Sequence, residues 1–106
     1  MIDLYAPAAP GTMLRSVRIR RRGEYRLARR ECVLVGILIL APESGVSVQI
    51  ADGDERIFVD FTNVFTGSFY LGAGCNHGLI VKAHSQMESD SINITLTWRE
   101  TDGQVH

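Results

Sequence analysis

The chain has 106 residues, enough for one domain that buries roughly two-thirds of its unfolded surface without a metal or a disulfide. Its 45% hydrophobic content, 10 Gly and 3 Pro exclude a disordered chain. The net charge of −1 conceals a division: residues 1–32 carry eight Arg against three acids, and the remainder carries three basic residues against nine acids.

Residues 1–12 hold Pro7, Pro10 and Gly11 among small residues, which resist helix and offer little to bury, so an extended N-terminal arm is expected, followed by a single domain over 13–106. The opening MIDLYAPAAP lacks a basic segment and a continuous apolar run, so it does not read as a signal peptide; the expected site of synthesis is a cytoplasm.

From Met13 to Arg22, Val17 and Ile19 alternate with Ser16, Arg18 and Arg20, the period of a half-buried strand. Gly23 breaks the run, and Tyr25, Arg26 and Leu27 continue the alternation beyond it. A hairpin with an arginine-rich outer face is expected, with a short helix over Glu24–Arg30 as the competing reading. Cys32 to Leu40, CVLVGILIL, is the longest apolar stretch. It is far short of the roughly 20 residues that span a bilayer, and its Val and Ile suit the central strand of a sandwich, covered on both faces.

Pro42 to Gly45 reads as a turn. Val46, Val48 and Ile50 then alternate, the Asp52-Gly53 pair favours positive φ in a tight hairpin, and Ile57, Val59 and Phe61 alternate again. Thr62–Gly67 reads as loop, Ser68–Leu71 as a short strand and Gly72–Gly78 as a flexible connection. The last strands are Leu79–Ala83 and Ser91–Arg99, with Ile92, Ile94, Leu96 and Trp98 facing the core and Asn93, Thr95, Thr97 and Arg99 facing outward. Seven or eight short strands joined by turn residues predict an all-β antiparallel sandwich.

Gly78-Leu79-Ile80-Val81, followed through a polar loop by Ser91-Ile92-Asn93-Ile94-Thr95-Leu96-Thr97-Trp98, resembles the small jelly-roll or sandwich structural proteins of tailed bacteriophages. The resemblance covers roughly residues 33–99 and leaves out the arm and the arginine-rich segment. It implies a non-enzymatic virion component, a head decoration or cement protein or a small tail-associated subunit, made in the host cytoplasm. Its partners would be other virion proteins or copies of itself.

The residues offer no chemistry that competes. Cys75-Asn76-His77 places a thiol near an imidazole, but no acid is evident in sequence, and the segment reads as plain loop. His77, His84 and His106 are too scattered for zinc, so no cofactor is expected. Asp52, Asp54, Glu55 and Asp60 lack calcium-loop spacing and read as a solvated hairpin tip. Asn93-Ile94-Thr95 matches a glycosylation site but falls on a strand, and Gly72-Ala73-Gly74 is too short for a phosphate loop. Cys32 and Cys75 are expected as free thiols in a reducing compartment.

The arginine cluster exceeds background. Arg15, Arg18, Arg20, Arg21, Arg22, Arg26, Arg29 and Arg30 are the expected partner-binding residues, because the planar guanidinium pairs with carboxylates in fixed geometry and the same chain supplies the acidic counterpart. Two alternatives stand beside this: a nucleic-acid module, with arginines on phosphates and Tyr25 stacked on a base, or a carbohydrate module on the same sandwich. A membrane partner is not expected.

Overall fold

Period-2 alternation dominates the chain, and a pleated strand turns every second side chain to the same face. The computed structural model describes residues 1–4, 14–40, 45–64, 66–85 and 92–100. Among them there is no helix, hence none long and apolar enough to cross a membrane. The strands are β1 (Ile2–Asp3), β2 (Leu14–Ile19), β3 (Gly23–Ala28), β4 (Cys32–Leu40), β5 (Val46–Asp52), β6 (Ile57–Val64), β7 (Thr66–Cys75), β8 (Leu79–Ser85) and β9 (Ile94–Glu100). They form a first sheet ordered β1-β3-β8-β5-β6 and a second ordered β2-β9-β4-β7, antiparallel throughout except for β1 beside β3.

The two sheets share one core. Tyr25, Leu27, Val48, Ile50 and Val81 of the first sheet and Ile19, Leu34, Ile37, Ile94, Leu96 and Trp98 of the second belong to a single buried cluster. Phe61 and Phe69 stack across the layers with centroids 4.5 Å apart and planes 29° from parallel. An added Cβ at Gly67 would lie 2.8 Å from the Phe69 ring, so that glycine makes room for the stack. As expected, β4 is interior to its sheet and β9 points Ile94, Leu96 and Trp98 inward and Thr95, Thr97 and Arg99 outward.

Three expectations give way, and so does the competing helix. β2 and β3 are not a hairpin: β2 pairs with β9 and β3 with β8, so the chain changes sheets at Arg20–Arg22. The helix over Glu24–Arg30 is absent because Tyr25 and Leu27 are needed in the core at strand spacing. β7 runs through Gly72, Ala73 and Gly74, where a flexible connection was expected. Glycine is tolerated there because 72 and 74 take exposed positions, while Leu71, Ala73 and Cys75 turn inward. Residues 62–64 and 66–67 are likewise strand rather than loop. The start of the N-terminal arm is extended and held in place: Ile2 and Asp3 join the first sheet and the Leu4 N–H donates to the Arg26 carbonyl at 2.9 Å. Most of the rest of the arm, and the turn 41–44, lie outside the described residues.

The β5–β6 hairpin forms as expected but not with the expected turn. The Glu55 N–H donates to the Asp52 carbonyl at 2.7 Å and the Asp52 N–H to the Arg56 carbonyl at 3.0 Å, and the left-handed residue is Glu55, at φ 68°. This is a three-residue loop closed by a left-handed residue. Because left-handed backbone costs an L-residue roughly 1–2 kcal/mol, Glu55→Gly is expected to raise stability by about 1 kcal/mol, read as a higher denaturant midpoint at unchanged slope.

Trp98 is 4% exposed, and its indole N–H has no partner among the described residues. Trp98→Ala is expected to cost about 3–5 kcal/mol through the cavity it leaves, whereas Trp98→Phe, which also removes the unpaired donor, should cost clearly less. Equal losses in the two variants would show that the indole N–H is satisfied.

Candidate functional site

The chain's change of sheet between β2 and β3 disperses the arginines. Arg20, Arg21 and Arg22 lie at the crossing between the layers, at the end of the sandwich where β2 finishes. Arg29 and Arg30 lie at the opposite end, where Arg29 forms an ion pair with Asp3. Arg18 points outward from β2, the edge strand of the second sheet, and Arg15 alternates with it as a half-buried residue. Arg26 is on the outer side of β3. The eight residues therefore occupy both ends and two faces rather than one surface. Tyr25, the residue offered for base stacking, is buried in the core and its hydroxyl donates to the Arg21 carbonyl.

A surface the sequence did not announce lies on the outer side of the second sheet. β4 was expected to be covered on both faces, yet Leu38 is 39% and Leu40 41% exposed, with Leu14 and Tyr70 more so. Between Leu34 and Gly36 the register shifts against both neighbours: β4 carries one extra residue against β9, and β7 one extra residue against β4. Beyond it, two rows of directly opposed residues cross the sheet: Ser16, Thr97, Gly36 and Tyr70, then Arg18, Thr95, Leu38 and Ser68. Gly36 supplies no side chain, so the rows enclose an open groove of about 240 Å³ between Tyr70 on one side and Thr95 and Thr97 on the other. Tyr70 is 85% exposed, and the Thr97 hydroxyl bonds Ser16 at 3.5 Å. The groove can offer an aromatic face and a hydroxyl rim.

The acidic hairpin tip is not solvated at its first residue. Asp52 is buried, and its carboxylate accepts the backbone N–H groups of Gly53 at 2.6 Å, His77 at 2.7 Å and Asn76 at 3.1 Å. The loop after β7 is thereby bracketed to the β5–β6 turn. The glycines follow from this contact: a Cβ on Gly53 would sit 1.8 Å from the His77 carbonyl, and one on Gly78, at φ 120°, 2.3 Å from the Ala28 carbonyl. Burial pushes the Asp52 carboxyl up, but the N–H groups of His77, Asn76 and Gly53, with the His77 imidazole, outweigh burial and hold it below its ordinary value.

His77 also brings chemistry to the tip, since its Nδ1 lies 3.5 Å from Asp52 and 3.9 Å from Asp54, so the three residues could converge on a cation. Asp52, however, has both oxygens engaged by backbone donors, which is the arrangement of a structural bracket. The same acid is the carboxylate that sequence could not supply to Cys75 and His77. Cys75 is nonetheless fully buried at the end of β7, its thiol donating weakly to the Ala73 carbonyl at 3.9 Å, while His77 is exposed. The two do not present a nucleophile and base to a common substrate position.

Asp52→Ala, which removes the acceptor of three part-buried N–H groups, is expected to cost about 1–3 kcal/mol. Because the folded-state pKa lies below the ordinary 3.8, the carboxylate's contribution is fully present above pH ~4 and is lost as pH falls through the depressed folded value. The stability gap between the natural chain and Asp52→Asn, followed by denaturant unfolding, should therefore be constant near neutrality and shrink in acid. A gap independent of pH would place the effect elsewhere than on the charge.

No family model matches the chain and no curated protein matches it, so its function is read from this geometry.

Proposed function

We propose that the chain is a non-enzymatic jelly-roll protein that acts by assembly, with copies of itself or with other proteins of a tailed-phage particle, as a head decoration or small tail-associated subunit of the virion. The fold half of this reading is supported by the strand order. With β1 set aside, the sheets β2-β9-β4-β7 and β3-β8-β5-β6 have the order of eight strands wound as two Greek keys, an architecture used by viral capsid and lectin domains.

The functional half is carried by the outer face of the second sheet, where Leu14, Leu38, Leu40 and Tyr70 stand exposed along a strand set that also supplies the core. Leu38, Leu40 and Tyr70 cluster on the adjoining strands β4 and β7 among Ser and Thr side chains, and an exposed cluster of this kind supports an interaction surface. Arg18 at its margin and Arg20–Arg22 at the adjacent end would meet carboxylates of a neighbour, fixing orientation. Dispersal of the remaining arginines and burial of Tyr25 weigh against a nucleic-acid module. A second reading is favoured by one observation: the hydroxyl-rimmed groove beside Tyr70 is suited to a sugar ring, as in a carbohydrate-binding module.

Assembly predicts that the molar mass of the purified chain, measured by light scattering, rises with concentration. Leu38→Asp with Tyr70→Ser should hold it at the monomer value, and Arg20→Glu, Arg21→Glu and Arg22→Glu together should weaken association in a salt-sensitive way. A constant monomer mass, together with titratable binding of a neutral polysaccharide that Tyr70→Ala abolishes, would replace the assembly reading by the carbohydrate one.

A further inference from the structure

Cys32 opens β4 and Cys75 closes β7, and the register sets them directly opposite one another. Opposed residues of an antiparallel pair have Cα atoms about 4.5–5.5 Å apart, inside the range of about 4.4–6.8 Å that a disulfide spans. Both side chains turn inward, both are fully buried, and the thiols are within hydrogen-bonding reach of each other. We infer that Cys32 and Cys75 are a redox-active pair that closes into a cross-strand disulfide by exchange with an external disulfide. This holds whether or not the chain assembles.

The surroundings divide the roles. The Cys32 S–H steadies a thiolate on Cys75, which lowers the Cys75 pKa although burial opposes it. Cys32 is pushed up, first by its hydrogen bond with Cys75, then by burial and by the negative charges of Cys75, Glu100 and Asp52. Glu100 faces Cys32 from β9 on the other side of β4, so Cys32 lies in a row between a carboxylate and the second thiol. Position assigns the same roles: Cys75, on the edge strand, is the sulfur an external disulfide reaches first, and Cys32, on the interior strand between β9 and β7, is the resolving one. Access comes from β7, an edge strand that pairs with β4 alone and runs from Cys75 into the exposed residues Asn76 and His77. The thiols become reachable when that strand end unpairs, which must also release the Asn76 and His77 N–H groups from Asp52.

In the first step the Cys75 thiolate attacks one sulfur of the external disulfide, whose S–S bond breaks, and the released thiolate takes up the proton that Cys75 lost. In the second, Cys32 loses its proton and attacks Cys75 Sγ, expelling the other half as a thiol. Two cysteines are oxidised, one external disulfide is reduced to two thiols, and the edge strand becomes tied to the central one.

The test uses the purified full chain and glutathione disulfide. After exposure, the protein is unfolded, its thiols are counted and its mass is measured. Loss of both thiols together, a mass lower by two hydrogens with no glutathione retained, and a denaturant midpoint that rises on oxidation and returns on reduction are the expected results. Cys32→Ala should instead hold glutathione on Cys75. Natural protein that keeps both thiols, that ends with two glutathione adducts, or whose midpoint does not rise on oxidation overturns the inference, and these outcomes do not depend on the variant folding.

Discussion

One buried carboxylate fixes the end of the sandwich at which the chain passes from the second sheet back to the first. Asp52 gives both oxygens to backbone N–H groups, one in its own turn and two in the loop after β7. A charge taken out of water is costly unless donors replace its hydration, and here three do. The glycines follow from that choice. Gly53 and Gly78 allow three stretches of backbone to touch, the β5–β6 turn, residues 76–78 and the end of β3, where any side chain would collide. Asp52, Gly53 and Gly78 therefore form one constraint rather than three local preferences.

The fold was legible wherever one face of a strand is wet. β5, β6 and β9 announce themselves through alternation, and the inward set of β9 follows from it directly, while β8 shows instead as a short apolar run, Leu79-Ile80-Val81, buried on both faces. Alternation identifies a strand but not its sheet. Nothing in Arg20-Arg21-Arg22-Gly23 distinguishes a hairpin turn from a crossing between layers, so the pairing of β2 with β9, up to 85 residues away at Leu14 and Arg99, was out of reach. β7 was hidden because its outward residues are partly glycines, which carry no pattern. Asp52 was misread for a related reason: an acid beside Asp-Gly normally faces water, and the donors that bury it are 24 and 25 residues further on.

The candidate surface was legible only in part. Nine apolar residues in β4 were read as a strand covered twice, and the inner half of that reading is right. The outer half exposes Leu38 and Leu40, and the bulge at Val35 turns Gly36 into a groove floor that no linear pattern reveals. This groove lies well along the sheet from the Asp52 bracket, on the opposite side of the second layer from the core. Substitutions on the face can thus alter recognition while the bracket and the core keep the fold, a separation usual for sites carried on a rigid scaffold.

The edges of the two sheets bear on how such a face would be used. An unpaired strand edge invites addition of a foreign strand, and proteins blunt it with charge, short strands or cover. β1 caps β3 for two residues only, which leaves little ladder to extend, and β2 carries Arg15 and Arg18 along the edge of the second sheet. β7 is the contrasting case, with ten residues, three of them glycine, and no charge. Its outward side chains are Thr66, Ser68 and Tyr70, so a strand added there would continue the sheet past the groove and place the Tyr70 ring within a wider surface rather than at its margin. Face and edge are therefore coupled through Tyr70. A neighbour that pairs with β7 encloses the groove within a wider sheet, whereas one that docks on Leu14 and Arg18 leaves Tyr70 at the margin.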